Sequence, residues 1–252
     1  MVRRETSIAA DWFADAFDSL YPVVYAHRSI EAAAQEAAFA AACTGLGPAD
    51  RALDLCCGAG RHMVHLAERT TRLTGLDYSP SLLALARRRG GSALRFVRGD
   101  MRALPFVGQA FDVVFNFFTS FGYFLEDSEN VQAAREMGRV LHSGGRFLLD
   151  FLNAPQVRAT LAPHTERRAG AYLVEEHRWL DERAARVNKR TIVKQDGAVV
   201  AAYEESVRLY TGAELTTLLA EAGLSAEQRF GDFAGGAWRE DSPRLILAGT
   251  KV

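Results

Sequence analysis

The stretch LDLCCGAGRH, residues Leu53 to His62, decides how the chain is read, because it runs from a short apolar strand through a glycine turn into a helix. Gly58 and Gly60 carry no Cβ, so the backbone there can lie against a ligand, and the N–H groups that open the next helix suit an anion. A Gly-x-Gly pair alone is weak evidence. Its weight comes from two aspartates further along the chain, since Asp77 ends the apolar run RLTGLD and Asp100 ends LRFVRGD. With Asp54 in the first run, three aspartates recur at intervals of 23 residues. In a doubly wound sheet the C-terminal ends of the strands converge on one edge, where ligands bind in a crevice. The three carboxylates are therefore expected to rim one cleft, with Asp77 placed to accept both hydroxyl protons of a ribose.

Outward from this stretch, residues 51–150 alternate apolar runs with helical patterns. RALDLC is followed by a helix from about Gly60 to Arg69, RLTGLD by the helix SPSLLALARRR, and LRFVRGD by a loop. FDVVFNFF, a helix over roughly Asn130 to Leu141, and GGRFLLDFL complete the series. Such alternation predicts a parallel sheet with helices on both faces. Before it, Asp11 to Thr44 is helical in pattern, with a break at Pro22 and with Ser29 as N-cap of SIEAAAQEAAFAAAC. After Asn153 the rhythm changes: AYLVEEHRWLD, RVNKRTIVKQ and AVVAAYEESVRLY read as an antiparallel meander. A helix, TGAELTTLLAEAGL, and the strand pair SAEQRFGDF and SPRLILAGT close the chain. The expected organisation is one domain over residues 1–252. It comprises a helical cap at 1–45, a cofactor-binding core at 46–153, an antiparallel insertion or lid at 171–210, and a closing helix and hairpin at 211–252.

Composition narrows the partners. The 252 residues include 30 Lys plus Arg and 31 Asp plus Glu, for a net charge of −1, so no global field draws the chain to nucleic acid or an anionic membrane. Arg87 to Arg89 and Lys189 with Arg190 read as solvated surface. Cys43, Cys56 and Cys57 have no metal-ligand spacing, and neighbouring strand side chains point to opposite faces, so they read as core thiols of a protein in a reducing cytoplasm, with no metal. The chain has neither a signal-peptide pattern at its start nor a stretch near the roughly 20 apolar residues that span a bilayer.

The run Asp54 to Gly60, acidic-x-small-Cys-Gly-x-Gly, resembles the first motif of the class I S-adenosylmethionine-dependent methyltransferases, with Cys56 where glycine is commoner. The resemblance covers Ala52 to Phe151 by motif and the whole chain by layout. It implies an α/β fold: a Rossmann-like, seven-stranded doubly wound sheet with a C-terminal antiparallel hairpin, an N-terminal helical cap and a small antiparallel β insertion. It also implies S-adenosylmethionine as cofactor and S-adenosylhomocysteine as product. On this resemblance Asp54 belongs to the cofactor site, Gly58 and Gly60 pass under the methionine part, and Asp77 holds the ribose hydroxyls. Asp100 accepts from the adenine amino group beside Met101, and Tyr78 and Ser79 flank the ring. Asn116, Phe117 and Thr119 fall where the family passes its backbone beside the methionine moiety and the reacting methyl. Tyr21, Tyr25 and Arg28 resemble a cap over the cofactor, with Arg28 available to the methionine carboxylate and the aromatic faces suited to a sulfonium.

A nicotinamide or flavin dinucleotide is disfavoured, because its fingerprint needs a third glycine and either alignment puts Met63 or Cys56 out of place. Methyl transfer from a sulfonium is an in-line displacement in which positioning supplies most of the rate, with effective molarities of ~10⁵ to 10⁸ M for aligned reactants. Where a base helps, His177, beside Trp179 in the insertion, and Tyr123 are the catalytic candidates. No Asn-Pro-Pro-Tyr follows β-patterned FDVVF and no Pro-Cys pair is present, which weighs against DNA methylation. The expected activity is N- or O-methylation of a small molecule in a pocket of ~300 to 1,000 Å³. The alternatives are an RNA or protein methyltransferase, a non-catalytic cofactor-binding protein, and an NAD-dependent oxidoreductase. Nothing in the sequence fixes an oligomeric state.

Overall fold

In a computed structural model, described for residues 8–16, 20–25, 29–91 and 94–252, the alternation over residues 51–150 resolves into five parallel strands. They are β1 (Ala52–Leu55), β2 (Leu73–Asp77), β3 (Arg95–Arg98), β4 (Phe111–Asn116) and β5 (Leu141–Leu152). All four residues of β1 are buried, as expected for a central parallel strand covered on both faces. The second sheet follows with β6 (His164–Ala169), β7 (Tyr172–Asp181), β8 (Arg186–Gln195) and β9 (Ala198–Arg208), and the chain closes with β10 (Leu224–Phe230) and β11 (Arg244–Lys251). The large sheet has the order β10-β11-β5-β4-β1-β2-β3, and β11 runs antiparallel to both β5 and β10. This is the expected seven-stranded sheet with its antiparallel C-terminal hairpin. Strand order reverses between β1 and β4, so their C-terminal ends open the crevice in which such folds bind ligands.

Among the described residues before β1 the helical pieces are α1 (Phe13–Ala16), α2 (Tyr21–Val24) and α3 (Ile30–Thr44). The Ser29 hydroxyl accepts the Ala32 N–H at 3.1 Å to start α3, and Gly45 at φ 62° ends it. The helix expected from Gly60 to Arg69 is a single turn, α4 (Met63–Leu66). Its ends close in three-residue turns, His65 N–H to His62 and Arg69 N–H to Leu66, and the Thr70 hydroxyl then donates to the Asp50 carbonyl at 2.7 Å. α5 (Pro80–Gly90) opens on Ser79, whose hydroxyl accepts the Leu82 N–H, with Pro80 in the first turn. α6 (Asp127–Val140), α7 (Ala154–Thr160) and α8 (Gly212–Glu221) complete the set, α8 with a Thr211–Glu214 capping box.

Two apolar layers sandwich the large sheet. Leu53, Leu55, Val114 and Phe147 pack with Met137 of α6 and Leu215 of α8, while Ala52, Val113, Phe115 and Leu148 pack with Ala37, Ala40 and Ala41 of α3. The smaller sheet has the order β6-β7-β8-β9 and is antiparallel throughout. The sequence pattern yields only its last three strands, because β6, HTERRA, has almost no apolar signal to read. Arg186 of β8 joins this sheet to the loop after β4. Its buried guanidinium donates to the carbonyls of Phe124 (3.0 Å), Gly122 (3.2 Å) and Tyr123 (3.2 Å) and to the Ser206 hydroxyl (2.7 Å). Among the described residues no helix is long and apolar enough to cross a membrane.

Candidate cofactor site

A cavity of about 380 Å³ lies at the strand ends. Its wall takes Cys56, Cys57, Gly58 and Ala59 from the turn after β1, Asp77 and Tyr78 from the end of β2, and Gly99, Asp100 and Met101 from the end of β3. Phe117, Phe118 and Ser120 enter from the loop after β4, and Phe13, Tyr21 and Tyr25 from the N-terminal helices. The volume is that of a small-molecule site.

The glycine turn fixes one carboxylate. Asp77 accepts the Gly58 N–H at 2.8 Å and the Ser79 N–H at 2.9 Å. Burial pushes its pKa up, against the pull of these backbone bonds, so a preorganised acceptor faces the cavity. Gly58 has φ 55° and lies in the wall. Gly60 does different work: a Cβ there would meet the Ala86 Cβ at 3.2 Å and the Phe96 ring at 3.6 Å, so its bareness lets α5 pack closely, and it is not part of the wall.

Cys56 has φ 63°, which explains why glycine suits this place in the motif. Cys56→Gly is expected to fold with little change in stability. A β-branched side chain at the same angle should cost about 1–3 kcal/mol, so Cys56→Val is expected to unfold at markedly lower denaturant. Cys56 and Cys57 are core thiols, as expected, that also reach the cavity wall, and burial raises their thiol pKa values well above the ordinary range.

The three aspartates do not share one rim. Asp54 is fully buried and lies outside the wall, because it sits within β1 on the face of Ala52 rather than at the strand end. Neither of its carboxylate oxygens has a hydrogen-bond partner. Burial pushes its pKa up to about 8, with the Asp77 charge adding and Arg61 opposing. Asp100 does reach the cavity, but Arg102 grips it with Nη2 at 2.6 Å, Nε at 3.1 Å and its own backbone N–H at 2.8 Å. Burial acts to raise its pKa, and the Arg102 bonds together hold it below the usual value. Met101 is buried beside it, with its sulfur 3.8 Å from that of Cys56. Tyr78 is exposed at the mouth, edge-on to Phe13 with ring centres 5.4 Å apart.

Asn116 is buried in β4 and absent from the wall. Its side-chain amide donates to the Leu55 carbonyl at 2.9 Å, tying β4 to β1. Phe117 is in the wall and stacks on His62 at 4.0 Å. The His62 Nε2 lies 2.7 Å from Glu36 of α3, and burial lowers its pKa to about 4 despite that carboxylate, so the ring is neutral near pH 7. Arg61 reaches the same Glu36 oxygen at 3.1 Å and covers the Phe118 ring at 3.9 Å. Arg61 and His62 are wall residues that sequence reasoning misses, since their only signal is adjacency to the glycine turn.

Tyr21 and Tyr25 line the cavity with ring centres 4.4 Å apart. The Tyr25 hydroxyl donates to Glu205 Oε1 of β9 at 2.8 Å and accepts from Lys189 of β8, which itself lies 2.9 Å from Glu205. Arg28 lies outside the described residues. Tyr123 is in the wall, and its carbonyl accepts the Trp12 indole N–H at 3.2 Å. His177 is not in the wall. Strand alternation buries Glu176 and turns His177 outward, where it is exposed and stacks on His164 at 4.7 Å. The smaller sheet thus acts on the cavity through Tyr25 and Arg186 rather than through His177. Among the described residues no group of three or more His, Cys, Asp or Glu is placed to hold a metal ion.

A family model described as a methyltransferase domain matches residues 52–145. The 2-phytyl-1,4-naphtoquinone methyltransferase of Thermosynechococcus vestitus is 39% identical over 115 residues, which are 43% of this chain and 48% of that protein. The chain thus spans about half the length of the quinone-type relatives it matches. The dTDP-3-amino-3,6-dideoxy-alpha-D-glucopyranose N,N-dimethyltransferase of Streptomyces fradiae is 28% identical over 180 residues, 69% of this chain and 70% of that protein. Among solved structures, the CcbJ methyltransferase from Streptomyces caelestis superposes with a TM-score of 0.80 at 22% identity, covering 95% of this chain and 98% of that one. The S-adenosylmethionine-bound CalS10, an amino pentose methyltransferase from Micromonospora echinaspora, has a TM-score of 0.69 at 24% identity, covering 93% and 97%. At these identities the structures establish the fold.

Proposed function

We propose, for a chain whose residues 52–145 match a methyltransferase-domain model, that it transfers the methyl group of S-adenosylmethionine to the nitrogen of a small-molecule amine, with amino sugars as the acceptor class. The observation that carries the cofactor is Asp77, a cavity-facing carboxylate at the end of β2 held by the Ser79 N–H and by the Gly58 N–H of the turn after β1, which borders the strand-order reversal. The acceptor class rests on the Streptomyces fradiae relative, which matches well beyond the cofactor-binding half. The quinone-type relatives match only about half their length and carry less weight for the acceptor.

On this reading Gly58 lies under the methionine part, Asp77 takes the ribose hydroxyls, and Asp100, Met101 and Tyr78 surround the adenine. Asp54 fits the group as well: a buried carboxylate with no partner is costly unless something cationic compensates it, and the methionine amino group and sulfonium supply positive charge. Arg28 is assigned to the methionine carboxylate. Asn116 fixes the end of β4, and Phe117 with Tyr21 and Tyr25 encloses the reacting methyl. We take the helical cap, core, β insertion and closing hairpin to act as one domain, and the three free cysteines to fit a reducing cytoplasm.

When bound, S-adenosylmethionine presents an electrophilic methyl on sulfur and leaves as neutral S-adenosylhomocysteine. The chain's own contribution is alignment and exclusion of water, which can supply most of the acceleration. An amine that enters as an ammonium ion must also lose a proton. The Tyr25 oxygen can accept it while the Tyr25 proton passes to Glu205, beside Lys189. Tyr25→Phe is therefore expected to lower kcat/KM about 10²-fold near pH 7, in line with a lost general base, and to regain most of it at about pH 9 to 10, where the ammonium ion loses its proton to solvent unaided. A loss equal at every pH would remove Tyr25 from proton transfer. The whole reading is tested by calorimetry with S-adenosylmethionine, S-adenosylhomocysteine and NAD, followed by S-adenosylhomocysteine release with a nucleotide-linked amino sugar, a naphthoquinol or a catechol as acceptor. Binding of NAD without either sulfur nucleoside overturns the cofactor, and turnover with the hydroxylated acceptors alone overturns the amine.

A further inference from the structure

The loop after β4 contains two consecutive non-glycine residues in the left-handed region, Phe118 at φ 57° and Thr119 at φ 58°. Isolated residues of this kind are uncommon, and for a bulky aromatic or a β-branched threonine the conformation is strained. It persists only where the surroundings over-determine it. Here they do so from two strands that contribute nothing to the cavity wall.

Asp150 of β5 is fully buried. Its Oδ2 accepts the Phe118 N–H at 2.8 Å, and its backbone carbonyl accepts the Thr119 N–H at 3.0 Å. Its Oδ1 takes Nε of Arg244, from β11, at 2.7 Å, and Arg244 Nη2 donates to the Thr119 hydroxyl at 2.7 Å. The same guanidinium lies 5.6 Å over the Phe118 ring. One ion pair, its carboxylate fully buried and its guanidinium partly so, therefore holds both strained residues by backbone and by side chain.

The strained pair has a visible outcome. Phe117 and Phe118 both face the cavity although they are adjacent in sequence, Phe117 stacked on His62 and Phe118 beneath Arg61. An extended strand would have sent adjacent side chains to opposite faces. A buried ion pair is weak evidence for stability as such, since apolar replacements of similar volume are often neutral. Its value here lies in the geometry it imposes.

We infer that Asp150 and Arg244 are positioning residues for methyl transfer, holding residues Phe117 to Ser120 in the conformation that aligns the acceptor. The inference rests on the methyltransferase reading. Neither residue lines the cavity, so each acts through the loop and not on the reactants.

The test compares Arg244→Met, Arg244→Lys, Asp150→Asn and Thr119→Val in the full chain. Arg244→Met is expected to lower kcat at least 10-fold while the Kd of S-adenosylhomocysteine, by calorimetry, stays within about 2-fold of wild type. Arg244→Lys keeps the charge but loses the two-pronged grip on Asp150 and Thr119, so its kcat should lie between those of Arg244→Met and wild type. Asp150→Asn keeps an acceptor for the Phe118 N–H and should also fall between. Thr119→Val cuts the Arg244 bond without stranding a buried charge, so it tests the clamp even if the charge variants fail to fold, and its kcat should drop several-fold. Adding Thr119→Gly to Arg244→Met should restore part of kcat, because glycine adopts the left-handed angle unaided. Amide hydrogen exchange supplies a readout that needs no ligand: Phe118 and Thr119 should lose protection selectively in Arg244→Met. Unchanged kcat and exchange in Thr119→Val and Arg244→Met overturn the inference, as does a loss that merely tracks melting temperature and is not rescued by glycine. Absence of S-adenosylhomocysteine binding in wild type would instead overturn the methyltransferase reading, leaving the exchange result to stand or fall by itself.

Discussion

Asp77→Ala is expected to weaken S-adenosylhomocysteine binding by at least 10²-fold, measured by calorimetry. A carboxylate that accepts two ribose hydroxyls makes charge-assisted bonds of about 1.5–3 kcal/mol each, and each ~1.4 kcal/mol is a tenfold change in Kd. The substitution also strips the acceptor from the Gly58 and Ser79 N–H groups, so the glycine turn loosens as well as losing its contact. Asp77→Asn retains one carbonyl acceptor and no charge, and its Kd should rise roughly tenfold by the same arithmetic. An Asp77→Ala protein that binds S-adenosylhomocysteine like wild type would remove Asp77 from the cofactor site.

Asp54→Asn is expected to stabilise the ligand-free protein at pH 8 and to weaken its binding of S-adenosylmethionine. The folded pKa is raised to about 8 from a reference of 3.8 by burial, with the Asp77 charge adding and Arg61 opposing. Between these values the folded state holds a proton that the unfolded chain has lost. The contribution is fully present below about pH 4 and is lost as pH rises through about 8. At ~1.4 kcal/mol per pH unit the full span is several kcal/mol, and asparagine, which does not ionise, abolishes that slope. At ~2–4 °C per kcal/mol for a chain of this size, the melting temperature should rise by more than about 10 °C near pH 8 and change little near pH 4. A melting temperature with the same pH dependence in both proteins would show that Asp54 is not the group responsible. Opposite signs for stability and affinity are the mark of a charge kept for a ligand.

Much of the core is legible in the sequence because its signals are local. Parallel strands buried on both faces read as continuous apolar runs, as in ALDL of β1, and the cap residues Ser29, Ser79 and Thr211 announce helices by their own side-chain chemistry. Asp77 and Asp100 are visible because each ends or follows a strand at the binding edge, and strand ends are readable from pattern. The same reasoning misplaces Asp54, since an aspartate inside its strand is a buried group under the turn rather than a rim group. His177 is drawn in by its aromatic neighbours, yet which face of β7 meets the protein depends on how the whole sheet docks. Gly60 shows a similar limit, because whether a missing Cβ admits a ligand or a helix depends on what lies opposite, here Ala86. Arg61 and His62 meet Glu36 of α3 across a gap of some 25 residues in the chain, a pairing that adjacency to the glycine turn does not reveal.

The sequence by itself determined the strand–helix alternation, the glycine turn and the carboxylate that ends β2, because hydrophobic period and turn chemistry act between residues near in the chain. Only the tertiary structure decided which side chains face the cavity, that Asp54 is buried without a partner, and that Asp150 and Arg244 meet the loop after β4. Those contacts join residues from 32 to 125 positions apart, and no local pattern encodes the packing that brings them together.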